Sequence, residues 1–115
     1  MFNFERLEVW QKSVQFVGVI YRLTKSFPSD ERFGLTNQIR RAAASISSNI
    51  AEGAARPAAD NARFIGYASG SLYEVLTQAI ISRNEGFLSP EAYNQLYRDA
   101  EEISRMLSGL RKSLE

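Results

Sequence analysis

Residues 38–56, QIRRAAASISSNIAEGAAR, gather three serines, an asparagine, a glutamate and three arginines on a stretch with the alanine content of a helix. Serine can attack a carbonyl and glutamate can take a proton, but each needs an activating neighbour. The chain has no histidine and no cysteine among its 115 residues. That removes the histidine base, the thiolate nucleophile, zinc sites of the Cys/His type and bundle di-iron sites with Glu-x-x-His ligands. The phosphate-cradling pattern G-x-x-x-x-G-K-[ST], the dinucleotide pattern G-x-G-x-x-G, the calcium loop D-x-[DN]-x-[DN]-G and the pattern S-x-x-K are also absent. Carboxylates, serines and arginines alone are left for an active site. The expectation is therefore no enzyme, no cofactor, no metal and no small-molecule substrate, and the stretch reads as a packing surface.

The elements that carry these residues are marked by three turns. Phe27-Pro28-Ser29-Asp30 ends a first helical pattern, since proline disfavours a helical residue before it, and Ser29 and Asp30 offer caps for the next helix. Gly53 to Pro57 weakens the second pattern and leaves the proline near the start of a third. Asn84-Glu85-Gly86 followed by Ser89-Pro90-Glu91 reads as a glycine cap, a short loop, a serine N-cap and a proline at the first helical position. Helices are predicted near 5–27, 30–55, 58–84 and 90–113.

Between the turns, apolar residues recur at three- and four-residue spacing. The predicted seams are Leu7, Trp10, Val14, Val17 and Tyr21; Leu35, Ile39, Ala42, Ile46, Asn49 and Gly53; Ile65, Ala68, Leu72, Val75 and Ala79; and Tyr93, Leu96, Ala100, Ile103, Leu107, Leu110 and Leu114. Four such segments joined by short turns argue for an all-α fold, an antiparallel up-down-up-down four-helix bundle forming one domain over 1–115. Nothing alternates at period two for long enough to predict a sheet.

The second seam narrows to alanine, glycine and asparagine, and the third helix carries Ala68, Ser69, Gly70 and Ser71 opposite it. Small residues let backbones approach, so a tight contact between these helices is expected, with the G-x-x-x-G at 66–70 part of it. A hairpin pivoting between residues 57 and 58 brings Glu52 to Arg63 and Arg41 to Glu74. Ser45, Asn49 and Gln78 extend these pairs into a polar layer that pins the register, with Asn49 and Ser45 largely buried. The alternative is that the charges are solvated surface pairs, worth ~0–1 kcal/mol each.

The first helix carries a second apolar stripe, Phe16, Ile20, Leu23 and Phe27. A helix in a four-helix monomer needs one apolar face of a little over ~100°, so the extra stripe predicts an interface between copies of the chain. Net charge is only +1, but residues 1–56 hold eight basic and five acidic residues whereas 57–115 hold six and eight. An oligomer would repeat any basic face. Arg32, Arg40 and Arg56 are the candidates for nucleic-acid contact, with Lys12, Arg22 and Lys25 behind them, against the alternative of a solvated helix surface. Aromatic residues do not interleave with these arginines in the sequence, so no platform for stacking bases is expected.

The start, MFNFERLEVWQK, lacks the cationic end and apolar run of a secretory signal, and the longest apolar-or-glycine run, FVGVIY, falls far short of the ~20 residues of a membrane span. A cytoplasmic protein with no membrane partner is expected.

The runs LEVWQKSVQFVGVIYRLTKSFP, ERFGLTNQIRRAAASISSNIAEGAAR and RFIGYASGSLYEVLTQ together resemble the four-helix-bundle proteins encoded in intervening sequences of bacterial 23S ribosomal RNA genes. L-E-V-W at 7–10, Q-I-R-R at 38–41 and N-I-A-E-G at 49–53 are the specific parts, and the likeness covers nearly the whole chain. It departs from the family pattern at Ser47, where proline is frequent, and over 54–62, where Pro57 and alanines replace more polar residues. The resemblance implies a bundle, a ring of five subunits and no enzyme activity. A similar group, the accessory bundles of diversity-generating retroelements, binds a reverse transcriptase and nucleic acid as a basic pentamer. Two functions are thus expected for this chain: a homo-oligomeric scaffold whose partner is RNA or a nucleic-acid-bound protein, or direct binding of RNA or DNA with little sequence preference.

Overall fold

In the computed structural model, which describes residues 1–115, the chain forms four helices: α1 Glu8–Thr24, α2 Leu35–Ala54, α3 Ala58–Asn84 and α4 Pro90–Lys112. Short 3-10 turns at Asn3–Arg6 and Ser29–Glu31 precede α1 and α2, and there is no strand. The punctuation mostly acts as its chemistry dictates. Pro57 stands immediately before α3. Ser89 Oγ accepts from the Ala92 N–H at 3.1 Å, with Pro90 opening α4. Gly86 adopts φ +79°, a region glycine enters without steric cost, to leave α3.

The start of α2 differs from the expectation. Ser29 and Asp30 do not cap it but fold into the 3-10 turn, and α2 begins at Leu35, whose N–H donates to Glu31 Oε1 at 3.2 Å. The displaced segment matters because it carries Arg32 and Phe33 outward between the two helices.

The helices pack in cyclic order, each against its chain neighbours and α1 against α4, with no approach across either diagonal. Cross-helix pairs run in opposite directions along each partner. Lys12 meets Asp99 and Glu102 while Phe27 meets Phe87 near the start of α4; Ser45 meets Ser71 while Gly53 meets Asn61 and Phe64. This is the antiparallel up-down arrangement expected from short connections. The 27 residues of α3, at ~1.5 Å rise each, account for most of the 42 Å long axis.

One apolar cluster fills the middle, and the seams predicted for α3 and α4 enter it. The seam of α1 is turned by about one residue from the one expected, with Leu7, Trp10 and Val17 left packing against its edge. Val9, Ser13, Phe16, Ile20 and Thr24 are buried, followed by Phe27 beyond the helix, whereas Val14 is 43% and Tyr21 46% exposed. Leu23 is half-buried against the same core. Phe16, Ile20, Leu23 and Phe27 are therefore core residues of a single chain and not an interface between chains. The misreading has a physical cause. Two of the true seam positions are hydroxyl residues, and each satisfies itself on its own helix: Ser13 Oγ donates to Trp10 O at 2.7 Å and Thr24 Oγ1 to Ile20 O at 2.8 Å. Hydroxyls that donate to their own helix can line a core, which breaks the apolar pattern but not the packing.

The α2–α3 contact is the most extensive in the bundle, and small residues explain it. Ala43 and Ala68 are fully buried. A Cβ at Gly53 would lie 2.8 Å from both Asn61 Oδ1 and the Phe64 Cβ, so only glycine permits this approach. Gly66 and Gly70, by contrast, have open space where a Cβ would be. The G-x-x-x-G is on the outer face of α3 and takes no part in the hairpin contact.

Candidate nucleic-acid interface

Arg40 and Arg41 follow one another on α2, one turn beyond Thr36 and Asn37, and face the end of α1 and the segment that joins it to α2. Two adjoining hollows lie there, of about 390 and 320 Å³, sharing Arg32, Thr36 and Arg40. The first adds Tyr21, Phe33 and Arg41; the second adds Lys25. No carboxylate lines either hollow. None of the four cations forms an ion pair; the pairs in this chain are made by Lys12, Arg56 and Arg63.

Arg40 is held in place. Its Nε donates to Thr24 Oγ1 at 2.8 Å, one of its terminal nitrogens donates to the Tyr21 carbonyl at 3.4 Å, and its guanidinium lies 4.5 Å from the Tyr21 ring centroid. Arg32 lies 5.5 Å from the ring centroid of Phe33, which is 85% exposed. Thr36 Oγ1 is buried beside them without a hydrogen-bond partner. A cationic surface with two accessible aromatic rings suits a phosphate chain whose bases stack.

Of the sequence candidates, Arg32 and Arg40 come together here and Arg56 does not. Arg56 sits near the far end of α2, paired with Glu52 at 3.1 Å and lying 4.6 Å from the Phe64 ring centroid. Lys12 is committed to Asp99 and Glu102 at 3.8 and 3.2 Å, and Arg22 lies outside the hollows. Against the expectation of no aromatic residue beside these arginines, two exposed rings stand next to them. Tyr21, expected in the bundle seam, is freed by the rotation of α1, and Phe33 adjoins Arg32 in a segment expected to be helical. The Arg32-Phe33 dipeptide next to a proline turn was the available signal.

The polar layer between α2 and α3 forms only in part. Ser71 Oγ donates to Ser45 Oγ at 2.9 Å, one residue from the expected register, and Asn49 Nδ2 donates to Ser45 O at 2.8 Å and Ser45 Oγ at 3.0 Å. Ser45 and Asn49 are half-buried, not largely buried, because Ile50 takes the seam position beside Asn49. Glu52 does not meet Arg63: it pairs with Arg56 one turn on, and Arg63 pairs with Asp60 at 3.1 Å. A partner close in sequence, just past the end of α2, is reached without ordering a second element. Arg41 and Glu74 line one groove from opposite helices without an ion pair, and Gln78 Oε1 is buried there without a partner.

The chain matches the family model described as 23S rRNA-intervening sequence protein over residues 5–109. It is also similar to a protein of unknown function from the S23 ribosomal protein family of Bacteroides thetaiotaomicron VPI-5482, whose crystal structure was determined at 1.70 Å resolution. The two are 25% identical and superpose with a TM-score of 0.82 over 90% of this chain and 98% of that one. No curated protein matches. No helix is long and apolar enough to cross a membrane.

Proposed function

Since the chain belongs to the 23S rRNA-intervening sequence protein family, we propose that it is a cytoplasmic, non-enzymatic interaction protein that binds single-stranded nucleic acid at the α1–α2 hollows. The observation that carries this reading is the gathering of Lys25, Arg32, Arg40 and Arg41, all without carboxylate partners, beside the rings of Tyr21 and Phe33. Cations free of carboxylate partners displace counterions from a phosphate chain without first breaking a protein ion pair. Titration of labelled single-stranded RNA against salt tests it. Three or four phosphate contacts give a slope of ~−2 to −3 in log K against log[salt], at ~−0.7 per contact on a single strand. Absence of binding at low salt defeats the reading.

Association of copies is a second part of the proposal, and the outer face of α3 favours it. Gly66, Gly70, Tyr73, Thr77 and Ile80 recur there at three- and four-residue spacing, with Tyr73 and Ile80 exposed and open space at both glycines. A partner helix can approach such a face closely. A homo-oligomer would repeat the basic hollows around its axis, and the number five rests on the family resemblance. Light scattering distinguishes a monomer, which defeats this part alone, from a pentamer or a smaller assembly.

A further inference from the structure

Beside the basic hollows, and sharing Asn37 and Arg41 with the first of them, runs a third groove of about 330 Å³ between α2 and α3. Asn37, Gln38, Arg41 and Ser45 line it from one side and Ser71, Glu74 and Gln78 from the other. Its chemistry differs from that of its neighbours, because it contains a carboxylate. A carboxylate repels phosphate, so this groove suits a base and not the backbone. Its volume lies at the small end of the ~300–1,000 Å³ typical of ligand sites.

Three of its groups have no use within the chain. Arg41 and Glu74 make neither an ion pair nor a side-chain hydrogen bond, although the groove places them on facing helices. Gln78 Oε1 is buried without a donor, a state that costs free energy until something supplies an N–H. The groove thus offers a fork of cationic donors on one wall, and a two-oxygen acceptor with a further amide acceptor on the other.

From this arrangement we infer that the α2–α3 groove is a base-reading subsite selective for guanine in a bound strand. Guanine presents two acceptors, O6 and N7, along one edge, which an arginine fork engages. Its adjoining edge presents two donors, the N1–H and the N2 amino group, spaced for the two oxygens of one carboxylate. Adenine and cytosine each present a single amino group and uracil a single imide N–H, so none gives Glu74 two donors. Unpaired bases in a single strand expose the edges this requires. The strand's phosphates would lie on Arg32, Arg40 and Lys25, with Arg41 at the junction. The inference rests on the nucleic-acid reading and adds a sequence preference to it.

The test is a fluorescence titration of the full chain, at one salt concentration, with a labelled oligouridine and the same strand carrying one central guanosine, inosine or adenosine. The guanosine strand is expected to bind ~5–150-fold more tightly than oligouridine, the range set by one good bidentate base contact. Inosine, lacking the N2 amino group, should lose the part of that gain that Glu74 supplies through its second donor, and adenosine should show none. Glu74→Gln should reduce the guanosine preference to what the Arg41 fork alone supports and make guanosine and inosine equivalent, with helix content unchanged because Glu74 has no internal partner to lose. Equal binding of all four strands overturns the subsite and leaves the nucleic-acid reading standing, as does a preference for guanosine over inosine that survives Glu74→Gln. Failure of every strand to bind at low salt removes the nucleic-acid reading, and the subsite with it.

Discussion

The guanidinium of Arg40 stacks on the ring of Tyr21, 4.5 Å from its centroid, and so joins α2 to α1 at the mouth of the basic hollows. Two of its five N–H groups are spent inside the protein, on Thr24 Oγ1 and the Tyr21 carbonyl. Three remain for an anion. Thr24 Oγ1 accepts from Arg40 while donating to Ile20 O, so the arginine is anchored through a hydroxyl of the buried seam. An arginine fixed in this way loses little rotamer freedom when a phosphate arrives.

Replacing Arg32 or Arg40 with alanine should weaken binding of single-stranded RNA and reduce the magnitude of the salt slope by ~0.7 for each phosphate no longer neutralised. Arg56→Ala should change neither, because Arg56 is paired with Glu52 and lies away from the hollows. Titrations at three salt concentrations check both.

Phe33→Ala should remove ~1–3 kcal/mol of single-strand affinity, the value of one stacked base. Its unfolding midpoint should be unaltered, since the ring is 85% exposed and contributes little to the core. A loss of affinity accompanied by a lower urea midpoint would contradict this assignment.

Phe16→Ala should cost ~3–5 kcal/mol in urea unfolding, as expected for a large ring removed from a packed core, because only 1% of Phe16 is accessible within one chain. The folded fraction should keep the mass of the unsubstituted protein. A shift in mass with unchanged stability would restore Phe16 to an interface.

A double-mutant cycle on Glu52 and Arg63 should give coupling near zero, whereas Glu52 and Arg56 should couple by ~0.2–1 kcal/mol, as exposed ion pairs do. The two cycles share Glu52, so the difference reports which arginine it meets.

Gly53→Ala should destabilise the fold by ~1–3 kcal/mol, the usual cost of overpacking, because its Cβ would meet Asn61 Oδ1 and Phe64 Cβ at 2.8 Å. Gly70→Ala fills open space on a helix and should stabilise the monomer by up to ~1 kcal/mol. If the outer face of α3 joins copies of the chain, the same substitution should lower the assembled mass in light scattering.

The helix number, the turns at Pro28, Pro57 and Gly86, and the seams of α3 and α4 were legible in the residues alone. Each depends on interactions within one turn or one period: a missing N–H, a positive φ, a repeat of leucines and isoleucines. The facing of α2 and α3 was legible to within a residue, because a short hairpin leaves few ways to align small residues, but the charge pairs expected to pin it do not form. The rotation of α1 was not. It carries apolar residues on two sides, and which side enters the core depends on how the neighbouring helices fit around Phe16 and Ile20, with Ser13 and Thr24 quieted by their own backbone. That rotation also turned Tyr21 outward to meet Arg40. Single arginines can be picked from a sequence as candidates for a basic face, as Arg32, Arg40 and Arg56 were. Whether an arginine finds a carboxylate, as Arg56 does, or an aromatic ring and an open hollow, as Arg40 does, is decided by side-chain reach across packed helices, and only the tertiary structure sets those distances.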